Sequence, residues 1–173
     1  MEMPFHESTY KFIVGGLIRQ INAENVLEIG LGAKAHTAQV CLDYFTEKNS
    51  GKYIVIDFNP NQPESIAILN RYDKKYWEMR VGDTTKDDHV FQDCHDKRFD
   101  LILIDGSHWI THVINDIQKV IYYGCAKTDS IFIFHDTNGS HVRQAVIEAA
   151  KSFHIHTFDI PKANLTLGVF KNC

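Results

Sequence analysis

Residues Leu101–Ile117 read LILIDGSHWITHVINDI. Alternating Leu and Ile over Leu101–Ile104 fit a strand buried on both faces. From Ile110 the apolar period changes: Val113, Ile117, Val120 and Ile121 fall on one helical face, and Gly124 supplies a stop. A strand feeding an amphipathic helix is half of a crossover between parallel strands. Between the two elements stand Asp105, Gly106, Ser107 and His108. An acid and an imidazole three residues apart, at the rim of such a sheet, suggest chemistry.

The same alternation runs outward in both directions. Upstream, Asn25–Gly30 (NVLEIG), Lys52–Phe58 (KYIVIDF) and Tyr76–Asp83 (YWEMRVGD) read as strands, followed by helices over His36–Lys48, Glu64–Asp73 and Asp87–Asp96. Phe99–Gly106 is the fourth strand. Downstream come a fifth strand, Ser130–Asp136 (SIFIFHD), and a helix over Ser140–Phe153. His154–Ile160 and Leu165–Lys171 read as two more strands joined by a Pro161–Asn164 turn. Near the N-terminus, Ser8–Ile21 (STYKFIVGGLIRQI) reads as a helix interrupted at Gly15-Gly16. The pattern predicts a doubly wound α/β sheet with helices on both faces.

With 173 residues, 44% hydrophobic and 23% charged, the chain suits one domain with a full core, residues 1–24 forming an N-terminal helical segment. No apolar run approaches a membrane span, and MEMPFHESTYK lacks a signal-peptide pattern. The net charge of −4, with no dense Lys/Arg cluster, argues against a nucleic-acid partner. Cys41, Cys94, Cys125 and Cys173 are far apart and form no CxxC pair, so reduced thiols in the cytoplasm are expected. Ten histidines make acid–base or metal roles worth tracing.

Ligands of doubly wound sheets bind beyond the carboxyl ends of the strands. All five parallel strands finish near an acid: Glu28, Asp57, Asp83, Asp105, and Asp136 beside His135. A helix cap explains any one of them well and all five poorly. Gly30 and Gly32 occupy the first strand-to-helix turn, where glycine lets backbone approach a ligand. The run Gly30 to Ala35 also fits the loose G-x-G-x-x-A form of a nicotinamide site. Glu28, an acid inside the strand, and the closing hairpin turn the reading away from a dehydrogenase.

In these features the chain resembles the class I S-adenosylmethionine-dependent methyltransferases, from about Asn25 to Lys171. Their first motif is an acid, one residue, then Gly-x-Gly-x-Gly; Glu28, Gly30 and Gly32 match it, and Lys34 replaces the third glycine. The resemblance implies a Rossmann-like seven-stranded sheet, mostly parallel with an antiparallel last strand. It also implies that Asp57, next to Phe58, holds the cofactor ribose, and that Gly82-Asp83 holds the adenine amino group. Asp105-Gly-Ser-His108 and His135-Asp136-Thr137 are similar to motifs of the small-molecule O-methyltransferase branch, which includes catechol and macrolide-sugar enzymes. There the strand-end acids bind a divalent cation, usually magnesium.

On that resemblance Asp105 and Asp136 share the cation, with His135 as a third candidate ligand, and Asp105 also touches the cofactor. A cation lowers the pKa of an acceptor hydroxyl and fixes its place, and His108 takes the proton. Bland rivals stand beside each role. Asp105 could cap the helix beginning near Ile110. His108 could be a surface residue. His135 and Asp136, as neighbours in a regular strand, would point to opposite faces. His108, His112 and Asp116 recur at i, i+4 and i+8, which more often marks a polar helix edge than a metal site. His141 lies near the next helix start. The expected acceptor is a small hydroxylated molecule. Its wall would come from the N-terminal helix, the Asn59–Pro63, Thr137–Ser140 and Pro161–Asn164 segments, or a second copy of the chain; Trp109 is an aromatic candidate. A metal-independent methyltransferase and a non-catalytic S-adenosylmethionine-binding partner protein are the rival functions.

Overall fold

The apolar runs become strands, and those at the centre of the sheet are covered on both faces. In a computed structural model describing residues 5–59 and 61–171, these are β1 (Asn25–Ile29), β2 (Lys52–Asp57), β3 (Trp77–Val81), β4 (Phe99–Ile104), β5 (Ala126–His135), β6 (Ile155–Ile160) and β7 (Leu165–Phe170). Met1–Pro4 of the N-terminal stretch, Pro60 and Cys173 lie outside the described residues. One sheet runs in the order β3-β2-β1-β4-β5-β7-β6, and β7 is antiparallel to both its neighbours while β1 to β5 pair in parallel. The fold is the expected doubly wound, seven-stranded one.

Alternate residues of each strand serve opposite faces. Val26, Tyr53, Val55, Leu101 and Leu103 pack with Val14 and Ile18 of α1 (Phe5–Gln20) and Leu42 and Phe45 of α2 (His36–Lys48). Leu27, Ile54, Ile102 and Phe132 pack with Val113 and Ile117 of α5 (Ile110–Tyr122) and Val142 and Val146 of α6 (Ser140–Ser152). The outer strand β6 is mostly exposed, as an edge is; it carries Asp159, which accepts from Arg143 at 2.6 Å. Among the described residues, no helix is long and apolar enough to cross a membrane.

Register places the strand tips level. Ile29 pairs with Ile56 and Ile104, and Ile104 pairs with Phe134. The pairing continues past the strand ends: Gly30 N donates to Ile56 O, and Asp105 N to Ile29 O, both at 2.9 Å. Strand order reverses between β1 and β4, so a crevice opens there. One step beyond the Ile104–Phe134 pair, Asp105 and His135 stand side by side.

Local expectations needed correction in three places. α1 runs unbroken through Gly15-Gly16, and a Cβ on Gly15 would stand 3.3 Å from Val40 Cγ1 of α2. The glycine is a contact point between helices rather than a break. The helix expected over Glu64–Asp73 is α3 (Pro63–Leu69); beyond it Asp73 accepts from Lys75 N at 2.9 Å and opens a separate short turn. The helix expected over Asp87–Asp96 splits into a 3-10 turn, Asp88–Phe91, and α4 (Cys94–Lys97), because Asp93 takes a left-handed conformation at φ 59°.

Candidate active site

Two hollows open over the strand tips. The first, about 560 Å³, is lined by Gly30, Gly32, Asp57, Phe58, Gly82, Asp83, Asp105 and Asp116 among others. That volume suits a bound small molecule. Gly30 sits at φ +93°, and a Cβ on it would fall 2.3 Å from the Asp105 backbone oxygen. The close approach of β1 to β4 therefore requires glycine. Gly32 is also left-handed, at φ +62°, but a Cβ there would meet nothing within 4 Å. Its lack of a side chain keeps the hollow open.

Asp57 is buried and ties two turns together. Its Oδ2 accepts from Leu31 N at 2.8 Å and Gln62 Nε2 at 3.2 Å, and its Oδ1 from Asn59 N at 2.7 Å. Asp83 holds its own loop: Oδ1 accepts from Thr85 N at 2.9 Å and Thr85 Oγ1 at 2.6 Å, and Oδ2 from Lys86 Nζ at 2.7 Å. The hydrogen bond from Lys86, then those from Thr85, keep this carboxyl well below the usual range. Phe58 and Trp109 stand exposed on the rim.

The second hollow, about 430 Å³, is lined by Tyr10, Glu28, Lys34, Thr37, His135, Asp136 and Asn164, and shares Gly32 and Asp105 with the first. Glu28 is buried among polar groups and accepts from Tyr53 Oη. Burial pushes its carboxyl up to about 8, with the Tyr53 hydrogen bond opposing. Tyr10, from α1, bonds Thr37 Oγ1 at 2.7 Å and sets its ring edge-on to His135, 4.9 Å between centroids.

Asp105, His135 and Asp136 offer ligand atoms all within 4.8 Å of one another. His135 Nδ1 lies 2.9 Å from Asp105 Oδ1 and 3.2 Å from Asp136 Oδ2. Strand alternation would have split His135 from Asp136, but β5 ends at His135 and Asp136 turns left-handed, at φ 55°. That one residue returns its carboxylate to the same side. Asn164 Nδ2 steadies it by donating to Asp136 Oδ1 at 2.5 Å. Burial pulls the His135 imidazole down, yet hydrogen bonds and charge from Asp105 and Asp136 outweigh it and lift the group to about 10. His135 in turn lowers the Asp136 carboxyl, against burial. The trio is a place that holds positive charge.

The remaining candidates separate. Asp105 does not cap α5: the residue before the helix is Trp109, without a side-chain cap, and the Asp105 carboxylate faces His135. His108 precedes the helix and sets Nε2 3.2 Å from Asp136 Oδ2. His112 bonds Ser107 Oγ at 3.0 Å, and Asp116 is buried rather than at a polar edge, so the i, i+4, i+8 series forms no common site. His141 stacks on Trp109, 6.4 Å between centroids, beside a shallower recess lined by His108, Asp136 and Asn164. Sequence reasoning assigned no role to Tyr10 or Thr37; both lie on helices whose pattern signals only packing.

Residues 27–137 match a family model described as "Methyltransferase domain". No curated protein sequence matches the chain significantly. A Podospora anserina methyltransferase with S-adenosylhomocysteine bound superposes with a TM-score of 0.70 at 14% identity, over 99% of this chain and 80% of that one. An O-methyltransferase from Bacillus cereus, also with S-adenosylhomocysteine, gives 0.69 at 14% identity over 98% and 82%. TomG from Streptomyces achromogenes, an O-methyltransferase involved in tomaymycin synthesis and solved with S-adenosylmethionine, gives 0.66 at 13% identity over 95% and 80%. At such identities the likeness is one of fold.

Proposed function

This chain belongs to the methyltransferase-domain family, and from that premise we propose that it transfers a methyl group from S-adenosylmethionine to an oxygen of a small hydroxylated molecule, assisted by a divalent cation. The observation that carries the reading is the meeting of Asp105, His135 and Asp136 where the two hollows join.

The residues present fit both groups. The first hollow has room for a nucleoside, an open floor at Gly32, and Asp57 at the tip of β2. The trio supplies two carboxylates and one imidazole; a hard cation accepts the first, and the nitrogen donor shifts preference toward a transition metal. When bound, S-adenosylmethionine supplies an electrophilic methyl group and the cation supplies Lewis acidity toward the acceptor oxygen.

The chain's own residues do the rest. Asp57, Phe58, Gly82 and Asp83 form the wall against which the nucleoside lies. Asp105 belongs to both hollows and so aligns the cofactor side with the acceptor side. His108, half-exposed and within reach of Asp136, takes the acceptor proton. Glu28 and Thr37 line the second hollow and are buried, as is Tyr53, which bonds Glu28.

The test is calorimetric titration with S-adenosylhomocysteine, alone, with magnesium or manganese, and with chelator, alongside turnover of catechol-type and sugar acceptors. Micromolar binding with metal-dependent turnover supports the reading. Binding with full turnover in chelator would replace it by metal-independent methyl transfer with His108 alone as the base. No binding would remove it.

A further inference from the structure

Asn164 follows the short turn Pro161–Ala163 and lines both the second hollow and the shallower recess beside it. Its backbone is left-handed, at φ 56°, a conformation that asparagine takes more readily than most residues. Its side chain is engaged at both ends. Nδ2 donates to Asp136 Oδ1 at 2.5 Å, and Oδ1 accepts from Asn138 N at 2.7 Å. A backbone N–H only donates, so the Asn138 contact fixes which end of the amide is oxygen. The Asn164 carbonyl accepts from Thr137 N at 3.3 Å, and Asn138 Nδ2 donates to Pro161 O at 3.1 Å. The turn before β7 is thereby pinned along the loop that carries Asp136.

The consequence falls on the two oxygens of Asp136. Oδ1 is engaged by Asn164. Oδ2 is the oxygen turned toward the rest of the site, 3.2 Å from His135 Nδ1 and 3.2 Å from His108 Nε2. We propose that Asn164 is a positioning residue that holds Asp136 to a single ligand oxygen, so that the trio takes a six-coordinate cation such as manganese and discriminates against calcium. The inference rests on the reading of the trio as a cation site. Asp105, His135 and Asp136 then give one ligand atom each, and the other positions of an octahedron are left for acceptor oxygens and water. Calcium asks for about six to eight oxygens, often two from one carboxylate. A carboxylate that cannot turn denies it the second oxygen. The His135 imidazole also disfavours calcium, but it does so with or without Asn164. The contribution of Asn164 is therefore the change in preference when its amide is removed.

The experiment is calorimetric titration of the full chain at pH 7.5 with manganese and, separately, with calcium. Wild type, Asn164→Gly, Asn164→Asp and Asn138→Ala are compared, with circular dichroism to verify folding. Glycine tolerates the left-handed backbone, so Asn164→Gly removes the amide without straining the turn. Asn164→Asp keeps an acceptor for Asn138 N but loses the donor to Asp136, and it serves if the glycine variant fails to fold. Asn138→Ala deletes the tie to Pro161 and leaves the bond from Asn164 to Asp136 in place. Wild type should bind manganese ~30-fold more tightly than calcium. Asn164→Gly should weaken manganese ~10-fold and leave calcium unchanged or tighter, taking the ratio below ~5-fold. Asn164→Asp should narrow the ratio likewise, and Asn138→Ala should keep it. A wild type that binds both cations equally overturns the inference while leaving the cation reading intact. So does an Asn164→Gly or Asn164→Asp ratio equal to wild type. An Asn138→Ala ratio that falls as far as that of Asn164→Gly overturns it too, since loosening of the loop would then suffice. A wild type that binds neither cation removes the cation reading, and this inference falls with it.

Discussion

Asp136 holds a left-handed backbone that L-residues adopt at a cost, although Asp tolerates it better than most. The cost is local, and what it yields is a carboxylate on the same side as His135. Asp136→Ala should leave S-adenosylhomocysteine affinity within ~3-fold and cut kcat/KM by ~100-fold or more, read by calorimetry and steady-state turnover. Lost cofactor affinity in that variant would mean the two hollows are not separable. Glu28 carries a different kind of strain. Its ordinary pKa is 4.5, and burial raises it to about 8 in the folded chain. Below the ordinary value both states are protonated and the group costs nothing. Between the two values the unfolded chain ionises while the folded one keeps its proton, so stability falls as pH rises, and the loss is complete above about 8. Glu28→Gln should therefore raise the melting temperature by several degrees at pH 8.5 and by little at pH 5, at ~2–4 °C per kcal/mol for a chain this size. An equal gain at both values would show that Glu28 is ionised in the fold.

At the scale of elements, the two glycines of the first turn have unlike reasons to be glycine. Gly30→Ala drives a methyl into the Asp105 carbonyl and should separate β1 from β4; Gly32→Ala meets only open space and costs the left-handed penalty of ~1–2 kcal/mol. Thermal melts should show the first variant falling well below the second, and comparable melts would contradict the close approach at Gly30. The central strands were legible because a parallel sheet covered on both faces demands unbroken apolar runs, as in Leu101–Ile104. Gly15 misled because a glycine that admits a neighbouring helix looks, in one dimension, like a breaker. Asp93 misled because a left-handed residue inside a polar stretch leaves no periodic trace. Within the site, Asp105 and His135 were readable as adjacent strand ends. The union of His135 with Asp136 came from the resemblance alone, since strand alternation argues against it and it depends on one backbone angle. Asp116 was read as part of a polar helix edge because helical spacing put it with His108 and His112, whereas it is buried beside the hollow over the strand tips.

Across the whole molecule, the trio joins strands whose partners lie far apart in the chain. If a cation bridges the β4 and β5 tips, it binds the folded state only. Manganese or magnesium at ~100 times its dissociation constant should then add about 2.7 kcal/mol, a rise of roughly 5–11 °C in melting temperature over chelator-treated protein. Asp136→Ala should abolish that rise, and a rise that survives in the variant would place the cation elsewhere. The last support for Asp136 comes from Asn164, at the turn into β7, which also accepts from Asn138 N at 2.7 Å. β7 slots between β5 and β6, after every other strand of the sheet has been made. During synthesis, the nucleoside hollow is complete in covalent terms long before Asn164 leaves the ribosome. On the proposed reading, a nascent chain would acquire the residues that hold a methyl donor before the turn that steadies Asp136, and transfer would wait on Asn164.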